Sequence, residues 1–273
     1  MEHLSGYSFT VLISCYRNDD PNKFSMALQS IADNTLSPVM VVLVVDGSIP
    51  DDLNDVILTF AKTLPLNVQR LPENVGLALA LNHGLSFVET DFCIRADADD
   101  LNLLDRFDQI IDKLKSGIDV VGSYIAEYDS VSNAYVSTKY VPVNHQSILK
   151  FAVKRNPFNH MSVGFVTSKV RDVGGYPNIY LREDYGLWIK LLKNGAITYN
   201  IPKVMVHASA GTGMFKRRGG ISHIKAEIEM QRLLVNLGFK SVWRGVIHWT
   251  SKSIVYLLPP FLRKYIYLYF LRN

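Results

Sequence analysis

Three carboxylates fall within four residues at Asp97-Ala98-Asp99-Asp100. Like charges this close repel, so gathering them is unfavourable unless a cation neutralises them. In an extended chain alternate residues point the same way, so Asp97 and Asp99 reach one side of a strand end together. One can hold a divalent ion while the other meets a ligand. Hard oxygen donors favour Mg2+ or Mn2+, and such ions with few protein ligands commonly carry a diphosphate. The plain structural reading is a cap, with Asp100 capping a helix that starts near Leu103. A second acidic pair, Glu183-Asp184, precedes an apolar helical stretch. Carboxylates there serve as cap and dipole partners, or one acts as a general base. Asp46-Gly47 read alone is an ordinary turn, and His207, after the strand-like Val204-Met205-Val206, is read alone as structural.

The elements that must position these groups alternate. Phe9–Ser14, Val39–Val45 and Phe92–Ala96 are short β-branched or apolar runs of the buried-strand type. Between them Phe24, Leu28 and Ile31 fall on one helical face, and Leu77, Leu81, Leu85 and Val88 on another. Leu104, Phe107, Ile111 and Leu114 predict a further helix, and Asp119–Ala126 a further strand. This alternation is the signature of a parallel sheet covered by helices. Beyond it the order changes, with a strand pair over Tyr124–Val143 and a strand over Met161–Thr167 leading to the Gly174-Gly175 turn. Open parallel sheets bind ligands beyond the carboxyl ends of their strands. Those ends read Ser14-Cys15-Tyr16-Arg17-Asn18, Asp46-Gly47-Ser48 and Asp97-Ala98-Asp99-Asp100, three polar segments on one rim. Neither a Walker lysine loop nor Gly-x-Gly-x-x-Gly occurs, which excludes the usual ATPase and dinucleotide sites.

The 273 residues are 48% hydrophobic and 20% charged, enough apolar mass for a full core and incompatible with a disordered or fibrous chain. Cys15 and Cys93 both lie in apolar runs, so no disulfide framework or thiolate zinc site is expected and a reducing cytoplasm fits. Charge is divided along the chain. Residues 1–184 hold 15 Lys and Arg against 23 Asp and Glu, whereas residues 185–273 hold 14 against 2. The acid-rich front suits metal or proton chemistry, and the cationic rear suits an anionic partner such as phosphate or a membrane surface. Nucleic acid is not expected, because no basic face interleaved with stacking aromatics occurs in the first two thirds. Met1–Ser8 is polar and Phe9–Ser14 is too short for a signal core, so the mature chain is expected to start near Met1. The apolar tail is broken by cations and by Pro259-Pro260, far short of the roughly 20 residues needed to span a bilayer. Its Trp243, Trp249, Tyr256, Tyr265, Tyr267 and Tyr269 among cations suit an anionic bilayer interface, with a hydrophobic dimer contact as the rival.

Ile13–Asn18, Val44–Ser48, Glu73-Asn74-Val75-Gly76-Leu77, Arg95–Asp100, Gly174-Gly175-Tyr176 and Arg182–Trp188 resemble, in order, the motifs of glycosyltransferase family 2 over about residues 8–215. Lys216-Arg217-Arg218-Gly219-Gly220 and the tail resemble bacterial exopolysaccharide and O-antigen glycosyltransferases of the amylovoran type. The resemblance implies a GT-A fold, a Rossmann-like, mostly parallel α/β sheet flanked by helices. It also implies inverting, Mn2+- or Mg2+-dependent transfer from a nucleotide sugar. By motif position Ser14, Tyr16, Asn18, Asp46, Asn74 and Gly76 would border the nucleotide, and Asp97 the ribose or sugar. Asp99 would hold the metal and diphosphate, with His207 where some relatives place a metal ligand. Asp184 would be the general base, and Glu183, Trp188 and His160 would face the acceptor. Arg217 and Arg218, with Lys216, would form an arm on diphosphate or on a lipid-linked pyrophosphate, or else a solvated loop.

The processive members' Gln-x-x-Arg-Trp motif and long membrane helices are absent from the sequence, so transfer of a single sugar is expected. The expected organisation is a GT-A domain over residues 1–219 and a helical, membrane-interface region over 220–273, cytoplasmic and peripheral to the membrane. UDP-hexose is the expected donor, galactose or glucose ahead of their N-acetyl forms, and a polyprenyl pyrophosphate saccharide the expected acceptor. Two rivals are a sugar nucleotidyltransferase, which would carry a Gly-rich activation loop near its N-terminus, and a glycan-binding scaffold, which would have no use for Asp46, Asp97, Asp99 and Asp184 together.

Overall fold

The computed structural model describes residues 8–210 and 220–258. The first half runs β1 (Phe9–Cys15), α1 (Pro21–Ala32), β2 (Met40–Val45), α2 (Asp51–Phe60), β3 (Leu66–Arg70), α3 (Leu77–Leu85), β4 (Phe92–Ala96), β5 (Leu101–Asn102) and α4 (Arg106–Lys115). The second half runs β6 (Val120–Asp129), β7 (Tyr135–Lys139), α5 (His145–Ala152), a 3-10 turn (His160–Ser162), β8 (Gly164–Val166), α6 (Thr167–Asp172), α7 (Glu183–Lys193) and β9 (Thr198–Ala210). It closes with α8 (Ile221–Asn236) and α9 (Val242–Leu257).

One mixed sheet carries everything, in the order β3-β2-β1-β4-β8-β6-β9-β5, with β7 hairpinned onto β6. β1 to β4 are parallel, β8 is antiparallel to both β4 and β6, and β9 returns parallel to β6. The period of two sorts the strand residues into two cores. Val11, Ile13, Val41, Leu43 and Val45 face α1, α2 and α4, whereas Leu12, Val42 and Val44 face α3, with α7 and α8 completing that layer. α3 lies so close to the sheet that a Cβ on Gly84 would stand 2.6 Å from both Leu12 and Val44 side chains. Ala226, Met230 and Leu234 of α8 belong to the same apolar cluster as Trp188 and Leu191 of α7, so the first helix after the sequence-derived boundary at 219 packs into the main core.

Local chemistry explains the short loops at the rim. Asp20 caps α1 by accepting the amides of Asn22 (2.8 Å) and Lys23 (3.2 Å), and Pro21 occupies the first helical position. The helix expected from about Leu103 begins only at Arg106, and Leu104 is exposed. The cause is tertiary: Leu101 and Asn102 are drawn into the sheet as β5 opposite His207 and Val206. Asp100 therefore caps nothing. Its Oδ1 accepts the Ser209 amide at 2.8 Å instead.

Candidate active site

Because β1, β2 and β4 are parallel, their carboxyl ends share one rim. Cys15 pairs with Val45 and Ile13 with Ala96, which sets Tyr16, Asp46 and Asp97 just beyond the sheet, with Asp97 beside Ser14. Tyr16 and Asn18 are exposed there, and the Asp19 carboxylate accepts the Tyr16 amide at 2.9 Å, closing the turn that carries them.

Asp46 is buried, and its carboxylate gathers the loop leading into α3. Oδ1 accepts the Val75 amide (2.7 Å), and Oδ2 accepts the Gly76 amide (3.0 Å) and the Asn74 side-chain amide (3.0 Å). Three of about four acceptor directions of a carboxylate are thus spent inside the protein. Asp46 clamps Asn74 and Gly76 to the rim and keeps one direction for a ligand. Gly47 makes the clamp possible, with φ +85° and a would-be Cβ 2.7 Å from the Asn74 backbone nitrogen. Gly47→Ala is expected to destabilise the fold by about 2 kcal/mol or more. Chemical denaturation would read the loss, and a wild-type value would refute the tight corner.

The acidic turn after β4 rests on buried arginines. Arg95 is 1% exposed and bonds the Asp97 carboxylate, while its Nε and Nη1 have no partner among the described residues. Arg106, fully buried, bonds Asn102 and donates to the Arg95 carbonyl at 2.6 Å. Burial, then the charge of Arg95, pushes Arg106 down to about 9. Asn102 is held in turn by Ser30 of α1 (2.9 Å), so α1 anchors the whole turn. Burial disfavours the Asp97 carboxylate, but Arg95, His160 and Arg106 together outweigh it and keep Asp97 below the usual range. Burial and then Asp97 push Asp99 up to about 6. Burial, with Asp99 and Asp97 behind it, pushes Asp19 up to about 7 against the opposing bond from the Tyr16 amide. Asp19, not singled out from the sequence, thereby joins the group. Its signal was present as an acid within four residues of the end of β1.

This donor set fits a divalent ion held chiefly by non-protein oxygens. Asp99 reaches solvent on the turn although the surrounding protein desolvates its carboxyl and Asp97 repels it, and the buried Oδ2 of Asp100 has no partner among the described residues. Among the described residues no three His, Cys, Asp or Glu side chains converge on an ion by themselves. His207, expected beside Asp99, stands opposite Leu101, two residues beyond it in the chain. His207 lies in β9 with its ring 4.7 Å from that of Tyr128, and burial alone lowers its pKa.

The second acidic pair approaches from α7. The Gly174-Gly175 turn takes φ of +75° and +65°, where a Cβ on Gly175 would overlap Asn82 Oδ1, and Asn82 holds the Tyr176 backbone by two bonds of 2.8 Å. Glu183 and Asp184 form the first turn of α7, which the helix dipole favours. Asn156 donates to Asp184 Oδ2 at 2.6 Å and the Tyr185 amide to Oδ1 at 2.7 Å. Burial and then Asp184 push Glu183 up to about 7. His160, in the 3-10 turn before β8, bonds through Nε2 to the Tyr176 hydroxyl at 3.2 Å, and its ring lies 6.1 Å from that of Trp188 of α7. Burial and Arg95 lower it to about 4, while Asp184 and Asp97 both pull the other way. The charges of Asp97 and Asp184 thus both reach one neutral imidazole. Trp188 is corrected: it is fully buried against Phe158 and His160 and cannot meet an acceptor. It supports His160 from behind. Arg217 and Arg218, with Lys216, lie outside the described residues.

A family model described as Glycosyl transferase family 2 matches residues 10–184. A UDP-Gal:alpha-D-GlcNAc-diphosphoundecaprenol beta-1,3-galactosyltransferase of Escherichia coli is 39% identical over 261 residues, 95% of this chain and 94% of that one. The amylovoran biosynthesis glycosyltransferase AmsE of Erwinia amylovora is 33% identical over 261 residues, 95% of this chain and 97% of that one. Among solved structures, S. aureus TarS superimposes with a TM-score of 0.66 at 15% identity, covering 91% of this chain. The chain spans 43% of that TarS chain.

Proposed function

The chain belongs to glycosyltransferase family 2 and has the GT-A fold, and from that membership we propose a single-sugar, inverting transfer from UDP-hexose to a lipid-linked saccharide in surface polysaccharide assembly. The observation that supports the reading is the shared rim of the parallel strands β1, β2 and β4, which carries Tyr16, Asp46 and the acidic turn from Asp97 to Asp100. The donor and the lipid diphosphate acceptor are suggested by the E. coli relative's name, and the pathway by AmsE.

In this reading the nucleoside lies on the rim against Tyr16, Ser14, Asn18 and the Asp46–Asn74–Gly76 clamp, and Asp97 bonds the ribose or sugar. Asp99 would hold Mn2+ or Mg2+, which supplies charge neutralisation to the departing diphosphate. Asp184 accepts the proton of an acceptor hydroxyl as that oxygen bonds the anomeric carbon, and the bond from that carbon to the diphosphate oxygen breaks. Attack from the face opposite the leaving group inverts the centre in one displacement. Neutral His160 orients the acceptor, and Glu183, protonated in part near neutrality, holds the acceptor or Asp184.

α9 supports a peripheral, cytoplasmic-face location. Val242, Trp243, Val246, Ile247, Ile254 and Leu257 are all exposed along one side of it, and no acidic residue follows Glu229 in the sequence. An apolar face in a cationic region suits an anionic lipid surface. No helix among the described residues is long and apolar enough to cross a membrane.

The test is a reaction of the protein with UDP-galactose, Mn2+ and a GlcNAc-diphosphate lipid. UDP release and a product anomer opposite to the donor's are expected. A retained anomer, or turnover of nucleoside triphosphate with pyrophosphate release, would overturn the reading.

A further inference from the structure

We propose that Glu227 of α8 is a positioning residue for the transfer: it anchors Arg182 at the start of α7 and keeps that guanidinium off the Asp184 carboxylate. The inference rests on the reading of Asp184 as the base.

Glu227 is fully buried and collects donors from three elements. Oε1 accepts from Gln231 Nε2 (2.7 Å) and Lys252 Nζ (3.0 Å), while Oε2 accepts from the Tyr256 hydroxyl (3.3 Å) and lies 3.8 Å from Arg182 Nη2. Arg182 Nη2 donates to the same Tyr256 hydroxyl at 2.9 Å, and its Nη1 to the Leu181 carbonyl at 2.8 Å. Lys240 stands behind Gln231 at 2.9 Å, and the His223 ring lies 5.5 Å from that of Tyr256. His248, bonded to Lys240, and Tyr185 also lie within electrostatic reach of Glu227. A carboxylate removed from water needs compensation of this kind. Two cations, Lys252 from α9 and Arg182 from the residue before α7, supply it.

Arg182 is the N-cap residue of α7, and Glu183 and Asp184 follow it directly. Yet among the described residues its ion-pair partner is Glu227, not either of these neighbours. Leu181 just before it takes φ of +52°, uncommon for leucine, so the backbone here is bent to deliver Arg182 to the buried acid. The packing that keeps α7 on α8 is tight: a Cβ on Gly186 would stand 2.5 Å from Pro177 and 3.4 Å from Leu233 of α8. Asp184 itself accepts from Asn156, and its charge reaches His160 and Tyr176, on which Arg95 also acts.

Charge then dictates opposite outcomes for two variants. Glu227→Gln leaves Arg182 without its counter-charge, and the nearest carboxylates are Glu183 and Asp184. A cation turned onto the base stabilises its ionised form and weakens it as a proton acceptor. Arg182→Met removes the cation and does the reverse. In kcat/KM against pH, Glu227→Gln is expected to move the acid limb down by about half a pH unit and Arg182→Met to move it up by a smaller amount, since in the wild type that guanidinium is held away from the base. Turnover of Glu227→Gln is expected to fall about tenfold with donor KM held within about twofold, since the donor rim is untouched. A merely structural Glu227 would lower the yield of folded protein and leave both limbs in place. Unmoved limbs, or limbs moving in the same direction, overturn the proposal. If Glu227→Gln fails to fold, Arg182→Met, at a partly exposed side chain, decides alone, and an unmoved limb there is refuting. Asp184→Asn run in parallel separates the two readings. Full activity in that variant removes the base and this proposal together, whereas an inactive Asp184→Asn with unmoved limbs removes only the role of Glu227.

Discussion

Asp184→Asn is expected to lower kcat by about 10³-fold, within the range ascribed to a positioned general base. The fold should barely notice. Asparagine can still accept from Asn156 or from the Tyr185 amide, which now bond the two carboxylate oxygens, so the cost is about 1 kcal/mol for a weakened charge-assisted bond and a lost dipole partner. Donor affinity should also survive on the proposed reading, because Asp184 belongs to the first turn of α7 and not to the ends of β1, β2 and β4 proposed to hold the nucleotide. The measurement is single-turnover transfer beside a UDP-sugar titration and a melting curve. A variant that transfers at the wild-type rate would assign the proton to another group, and Glu183, with its pKa pushed up to about 7, would be the next acid to examine.

Asp99→Asn should cost a similar factor, roughly 10³-fold, if the lost interaction is the several kcal/mol a divalent ion gives a departing diphosphate. Its effect on stability should have the opposite sign to its effect on activity. Asp99 in the folded chain is pushed up to about 6, above its ordinary value of 3.8. An acid with a raised folded pKa makes the folded state bind protons that the unfolded state has released, so stability falls as pH rises through that window. Removing the carboxylate relieves this, and the metal-free variant should melt at or above the wild-type temperature at neutral pH. Mn2+ with UDP should then raise the melting temperature of the wild type by mass action and leave that of Asp99→Asn unchanged. A wild-type Mn2+ response in the variant would move the ion elsewhere.

The two variants probe groups 85 positions apart in the chain, one on the turn after β4 and one in the first turn of α7. β1, β2 and β4 were legible because each is a short buried run, and their polar ends could be placed on one rim before any coordinates. The stripes of α1 and α3 were legible for the same local reason. β3 was not. Leu66-Asn67-Val68-Gln69-Arg70 is a half-buried edge strand with too few apolar positions to show a period. The start of α4 was misplaced because β5 takes Leu101 and Asn102 into a pairing with β9, residues about a hundred positions away. No local propensity encodes such a partner.

By itself the sequence determined the chemistry available: which acids exist, that three of them crowd one strand end, that the front of the chain is acidic and the rear cationic, and that the motifs run in a family's order. These are properties of composition and short-range spacing, which survive without a fold. Tertiary structure alone decided which groups share a cleft and which are spent holding it together. It brought the charges of Asp97 and Asp184 within reach of His160, sank Trp188 into the core, committed most of Asp46 to backbone amides and tied Arg182 to a buried acid on α8. Each depends on contacts between residues far apart along the chain, where burial and Coulomb interaction act through space and leave no period to read.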